Sequence, residues 1–325
     1  MISPKLDSYP CKHIILLMFL FTSLVSHAIN AASRNGFDLT DALIPAEEIL
    51  SGGPPRDGIP AINNPKFVKA REAKFLQLKD RVLAIVIDGI AKAYPIAILN
   101  WHEIVNDVIG KQNVVITYCP LCGTGMAFEA RLGSREMQFG VSGLLYNSDV
   151  LLYDKTSESL WSQILGMAVS GKLKGTHLKQ LSLEHTTWQD WKNRHPDSLV
   201  LSTDTGFIRS YKRNPYAGYE RSRKLYFSVA HKPPPTYHPK EMVMGLNAKG
   251  VFKAYPFIEL NQHGQAVFSE EINGQNYTIQ WNTEHQSGQI LDDKGSQIPT
   301  ITGFWFAWFT FHPDTLIFKA ENSVN

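Results

Sequence analysis

Cys119-Pro120-Leu121-Cys122-Gly123 is the part of this sequence best equipped for chemistry. Two thiols three residues apart reach one metal ion or close one disulfide. The glycine after the second cysteine suits a knuckle whose backbone N–H groups face sulfur. Rubredoxin-type and zinc-ribbon sites use such a pair twice, but this chain has no second Cys-x-x-Cys. A metal here therefore needs mixed ligands, and copper(I) or zinc suits the thiolates. A thiol-redox pair is the second reading, because the apolar run Val114 to Tyr118 leads straight into Cys119. Against it, Gly123-Thr124-Gly125 opens another strand, not the helix that lowers such a thiol's pKa. The third reading is a cell-envelope binding module without catalysis whose cysteines form a structural disulfide, which in so short a loop contributes only about 2 kcal/mol.

Candidate partners come from strand register. With Ile109-Gly110 as a two-residue hairpin turn, His102 stands opposite Thr117 and diagonal to Cys119, within reach as a third metal ligand. Glu103 then points to the other face. A structural role for His102 is at least as well supported, since His263 repeats it in a stretch without cysteines. Ser142 to Asp154 reads as strand, polar turn, strand. It offers Asp149 and Asp154 as supporting carboxylates, or only as turn residues. His231 is a further supporting candidate, in a Pro-rich stretch that reads equally as a linker. Trp161-Ser162-Gln163 reads as core, and His195-Pro196-Asp197 as the end of a helix. There is no Gly-rich phosphate loop, nucleophile elbow or His-Glu-x-x-His, which removes the enzyme classes built on them.

The elements that must position these groups are short strands joined by Gly, Asn and Asp turns. Val82–Ile87 and Ile90–Tyr94 flank an Asp88-Gly89 turn, and Glu103–Val108 and Asn113–Tyr118 form a second hairpin. One helix is clear at Thr187–Arg194, with Trp188 and Trp191 on one side. Two segments recur in order. Lys92-Ala93-Tyr94-Pro95 returns as Lys253-Ala254-Tyr255-Pro256 at an offset of 161. The Trp188/Trp191/His195-Pro196-Asp197 pattern returns as Trp305/Trp308/His312-Pro313-Asp314 at an offset of 117. The first copy therefore carries additional residues, and the Cys pair reads as part of them. The expected fold is α+β, predominantly antiparallel β, with two related β-rich modules that each hold a Trp-containing helix. The expected divisions are a signal peptide at 1–28, an N-terminal loop segment at 29–57, a first module at 58–232, a Pro-rich linker at 233–239 and a shorter second module at 240–325.

The signal reading rests on Lys5 and Lys12, an apolar run from Ile14 to Val25 too short to span a bilayer comfortably, and Ser26-His27-Ala28 as a cleavage site. It implies an exported chain, periplasmic or secreted, with no stable membrane span after cleavage. Cleavage also removes Cys11, leaving Cys119 and Cys122 as the only cysteines in an oxidising compartment. The composition, 43% hydrophobic and 19% charged with a net charge of +2, is that of a folded chain. It offers no basic footprint for nucleic acid. Nothing in it names a partner.

Three stretches carry a resemblance: Val115-Ile116-Thr117-Tyr118-Cys119-Pro120-Leu121-Cys122-Gly123-Thr124, Phe139 to Asp149, and Tyr153-Asp154 with Ser159 to Gln163. With these in order, the chain resembles a bacterial and archaeal domain-of-unknown-function family, catalogued as 3179, from about Gly58 to Phe318. The resemblance implies an exported protein with a Cys-Pro-Leu-Cys-Gly-Thr signature. It implies no activity.

Overall fold

A computed structural model describes residues 33–320. The proposed signal peptide at 1–28 lies outside the described residues. The fold is α+β with mostly antiparallel strands; the four α-helices among the described residues have seven residues or fewer. None of them is long and apolar enough to cross a membrane.

Two halves share one pattern of pairing. In the first, Arg81–Ile87 sets Ala84 opposite Ala93 of Ile90–Pro95 and opposite Glu184 of Glu184–Thr187. Leu199–Leu201 runs parallel to Ile90–Pro95, Leu199 beside Lys92. In the second, Met242–Ala248 sets Gly245 opposite Ala254 of Val251–Pro256 and Ile301 of Ile301–Phe304, and Leu316 lies parallel beside Lys253. The partners differ by the 161 and 117 residues that separate the sequence matches. Trp helices follow Glu184–Thr187 and Ile301–Phe304, at Trp188–Arg194 and Trp305–Phe311. Trp191 and Trp308 are buried, as expected of core residues, and their indole N–H groups donate to Ser198 Oγ and Thr315 Oγ1 at 2.8 and 2.9 Å. Each half also has a three-stranded meander. Ile104–Ile109, Gln112–Cys119 and Thr124–Glu129 form the first; Val267–Ile272, Gln275–Asn282 and Ser287–Leu291 form the second.

The additional residues of the first half fall after the meander, between Thr124–Glu129 and Glu184–Thr187. They supply four strands of a five-stranded sheet, Met167–Ser170, Leu160–Ser162, Asp149–Asp154 and Phe139–Tyr146, which Ile49–Ser51 completes. The Cys pair is therefore not among them. It occupies the four-residue connection between Cys119 and Thr124, which has a counterpart of equal length between Asn282 and Ser287. Two other expectations shift. The segment 29–57 contributes more than loop: Ile49–Ser51 pairs with Phe139–Tyr146, and Phe37, Leu39 and Ile49 are buried. The stretch 233–239 docks on the second half, with Tyr237 OH donating to Glu259 Oε1 at 2.6 Å and Pro239 O accepting from Phe306 N–H at 2.9 Å.

The halves interlock. Thr302 pairs with Gly125, so strands of both halves share one eight-stranded sheet. This contact bears on the cysteines directly, because Phe304 N–H donates to Cys122 O at 2.7 Å.

Candidate functional site

Cys119 ends its strand as the partner of Thr124, and Cys122 N–H returns to Cys119 O at 3.2 Å, closing a tight turn. Gly123 leaves that turn at φ 63°, in the left-handed region. A Cβ there would also stand 3.1 Å from the Phe304 ring, so both backbone and space favour glycine. Both sulfurs are buried and not joined to each other. They sit in an apolar cluster with Leu121, Met126, Trp161 and Phe306.

The five-stranded sheet delivers the third group. Asn147 and Ser148 turn at φ 52° and 68° between Tyr146 and Asp149. The turn aims the Ser148 carbonyl at the sulfurs, accepting from Cys119 at 3.7 Å and from Cys122 at 3.2 Å. It also places Asp149, whose carboxylate oxygen and the two sulfurs all lie within 4.8 Å of one another. The hydroxyl of Ser148 is buried without a hydrogen-bond partner. Asp149 accepts from Ile164 N–H at 3.2 Å and meets Thr124 Oγ1 at 3.3 Å. Thr124 already donates to Gln163 Oε1 at 2.8 Å, while Gln163 Nε2 donates to Thr117 Oγ1 at 2.8 Å and Thr117 to Met126 O. The Thr124 hydroxyl is thus shared between Gln163 and Asp149, and its bond to Asp149 favours the carboxylate. Burial outweighs these bonds: it pushes Asp149 up to about 7 and raises both thiols above their ordinary range. Burial therefore favours the protonated form of all three groups.

The groups named from the sequence divide. Cys119, Cys122 and Asp149 come together. His102 is committed elsewhere, Nδ1 against Pro60 O at 2.8 Å and Nε2 against Tyr211 OH at 2.7 Å, which occupies both ring nitrogens. Asp154 is a turn residue, accepting from Thr156 N–H, Ser157 N–H and Trp161 Nε1. His231 is exposed; its backbone N–H donates to Thr310 Oγ1.

The register explains His102. Thr117 pairs with Ile104, and the turn falls at Gly110-Lys111, with Gly110 at φ 61°. The slip is two residues, so alternation is preserved, but the strand begins only at Ile104. Glu103 just before it sits at φ 58°. That left-handed residue breaks the alternation, and Glu103 faces the cysteine side. It lines an apolar cavity of about 200 Å³ with Leu121, Leu145, Val150 and Phe227. Burial and the nearby Asp149 charge push its carboxyl up to about 8. Glu103, Thr124, Gln163 and the Ser148 carbonyl are the groups that sequence reasoning missed. The polar Gln163 beside Trp161 was the one available signal.

No curated protein and no solved structure matches the chain. The cysteine loop, Asp149 and Glu103 all fall within residues 56–294, and over that span the chain matches, and so belongs to, the family described as Protein of unknown function (DUF3179).

Proposed function

We propose that the protein binds a metal ion through Cys119, Cys122 and Asp149, and that zinc is the ion it fits best. The observation that carries this is the convergence of two sulfurs and a carboxylate oxygen within 4.8 Å, all from buried residues. Tetrahedral zinc, with Zn–S about 2.3 Å and Zn–O about 2.0–2.2 Å, needs ligand atoms about 3.5–3.8 Å apart, a small contraction of this cluster. The carboxylate favours zinc over copper(I), which is content with the two sulfurs alone. Three protein ligands leave a fourth position, the arrangement of zinc sites that do chemistry on a bound water or substrate. Burial favours the protonated form of these three groups and a cation the ionised form, so binding is coupled to pH.

The thiol-redox reading is weaker. Exchange needs an accessible thiolate, and these sulfurs are buried with raised pKa values. We further infer that the two halves are copies of one module, supported by the shared offsets in sequence and pairing, and that the chain is exported after cleavage near Ala28. Metal analysis of protein recovered from its export compartment tests the reading. One zinc per chain is expected, absent in Cys119→Ser and Cys122→Ser. A metal-free chain with a Cys119–Cys122 disulfide by mass spectrometry overturns it.

A further inference from the structure

A cleft of about 900 Å³ lies where the two halves face each other. Its lining follows their correspondence: Arg81 is matched by Met242, Ile96 by Phe257, Thr187 by Phe304 and Gly123 by Gln286. Clefts between two units are where small-molecule sites preferentially form. Matched positions carry unlike residues, so the cleft is asymmetric in chemistry although nearly symmetric in frame.

Its charge is the unusual feature. Arg81 donates to three backbone carbonyls, of His285 at 2.6 Å, His185 at 2.9 Å and Gln286 at 3.1 Å, and has no carboxylate partner among the described residues. A guanidinium has five N–H donors, so two remain. Lys240 is buried; its ammonium donates to the carbonyls of Ser222 and Lys224 and lies 3.9 Å from the centre of the Tyr219 ring. It too has no carboxylate partner among the described residues, and one N–H is left over. The acids of the cleft do not neutralise this pair. Glu220 and Glu284 are exposed, and Glu241 accepts from Ile258 N–H. Burying cations against carbonyls alone leaves their charge uncompensated. Tyr118, Phe257 and Phe304 line the same cleft. The Tyr219 hydroxyl is buried without a hydrogen bond of ordinary geometry.

We propose that this cleft binds a small organic anion, a carboxylate or phosphate ester on an aromatic or apolar body, with Arg81 and Lys240 holding the charged group. The site is distinct from the cysteine cluster: Pro120 and Gly123 of the Cys loop line the cleft, while the sulfurs face the Ser148 turn on the other side. Its ligand therefore rests against the loop that holds the proposed metal without being required by it.

The test is calorimetric titration of the full mature chain with benzoate, phenyl phosphate and, as the neutral analogue, benzyl alcohol. At least one anion should bind saturably, more weakly as salt rises, and benzyl alcohol at least tenfold more weakly. The two anions separate a carboxylate site from a phosphate site. Arg81→Gln and Lys240→Gln should each lower anion affinity at least tenfold, with Arg81→Lys and Lys240→Arg recovering part of it. Tyr219→Phe should weaken binding with no change of charge, and it remains a readout should Arg81→Gln fail to fold. Metal content should be unchanged in Arg81→Gln, which separates this site from the metal reading. Failure of both anions to bind, equal binding of benzyl alcohol, or wild-type affinity in the folded variants overturns the proposal.

Discussion

The loops Cys119–Thr124 and Asn282–Ser287 join corresponding strands, have the same length, and close the same pair of residues. Each turns through a left-handed residue at the same place, Gly123 at φ 63° and Gln286 at φ 46°. Both line the cleft, yet one holds two buried thiols under a second sheet, while the other has no such cover. There Asn282 Oδ1 accepts from His285 N–H at 3.1 Å, and His285 Nδ1 meets Thr187 Oγ1 at 2.9 Å. The difference does not come from the loop backbone. It comes from what lies over it: the first half carries the extra strands with Ser148 and Asp149, and the second half has only a short connection there. A frame positions ligands; a second element, supplied once, makes them converge.

That comparison breaks if the loop alone suffices. The largest effect expected is therefore on metal content. Cys119→Ser or Cys122→Ser abolishes stoichiometric zinc, and Asp149→Asn lowers affinity by about 10–100-fold at least, the usual cost of weakening a metal's polar surroundings. The converse graft, Asn282→Cys with His285→Cys, gains no metal, because nothing equivalent to Asp149 stands over it. Elemental analysis of the graft in a Cys119→Ser background decides the matter; one zinc per chain there refutes the role given to the second sheet.

A second contrast concerns charge. Lys92 pairs with Asp107 at 2.8 Å, Tyr94 OH donates to Asp107 at 2.6 Å, and the two side chains of the ion pair are 7% and 6% exposed. In the other half Lys253 pairs with Glu270 at 2.8 Å, with Tyr255 OH donating to Glu270 at 2.8 Å, but at 14% and 21% exposure. Removing one member of the buried pair strands the other without solvent. Asp107→Asn is expected to cost about 3–5 kcal/mol, and Glu270→Gln, better solvated, about 1–2 kcal/mol. Equal midpoint shifts in urea for the two variants would remove the contrast.

His102→Ala sharpens the boundary of the site. It strands Pro60 O, while Tyr211 OH keeps Thr205 Oγ1 at 2.6 Å, at a cost of about 1–3 kcal/mol for the unsatisfied group, and leaves zinc content at one per chain. Loss of zinc in a folded His102→Ala protein would return His102 to the ligand set.

The cysteine pair, most strands, both Trp helices and the offsets between the halves are legible in the sequence, because spacing, alternation and turn residues are local properties. The convergence is not. Asp149 lies far along the chain from Cys122, and alternation says which residues share a face without saying which sheets meet. Glu103 was hidden for a different reason. Nothing in Trp101-His102-Glu103-Ile104 marks a left-handed residue, and a single positive φ exchanges the faces that His102 and Glu103 occupy. The hairpin slip is a third kind of case. Ile109-Gly110 and Gly110-Lys111 both place the glycine in the turn, and only the observed pairing separates them.

The smallest effect expected is also the one that tests how the buried acids are held. Glu103 rises from its ordinary 4.5 to about 8, and Asp149 from 3.8 to about 7, both chiefly by burial. Across those windows the unfolded chain has lost a proton that the folded chain keeps. The metal-free protein is therefore destabilised as pH rises, by at most about 1.4 kcal/mol per pH unit for each group. This is the reverse of ordinary acid denaturation. Below pH 6.5 the trend is masked, because His185, His102 and His312 are held neutral by burial, with depressed pKa values. Such histidines add stability as pH rises toward 6.5 and nothing beyond it. Between about pH 6.5 and 8 the acids act alone, Asp149 only to about 7 and Glu103 to the end. Urea midpoints of the metal-free protein should fall across that interval. Glu103→Gln should flatten the decline above pH 7, and Asp149→Asn should remove only its first part. A wild-type midpoint that is flat or rising from pH 6.5 to 8, with Glu103→Gln parallel to it, would mean that Glu103 reaches water and does not face a closed apolar cavity beside the cysteine site.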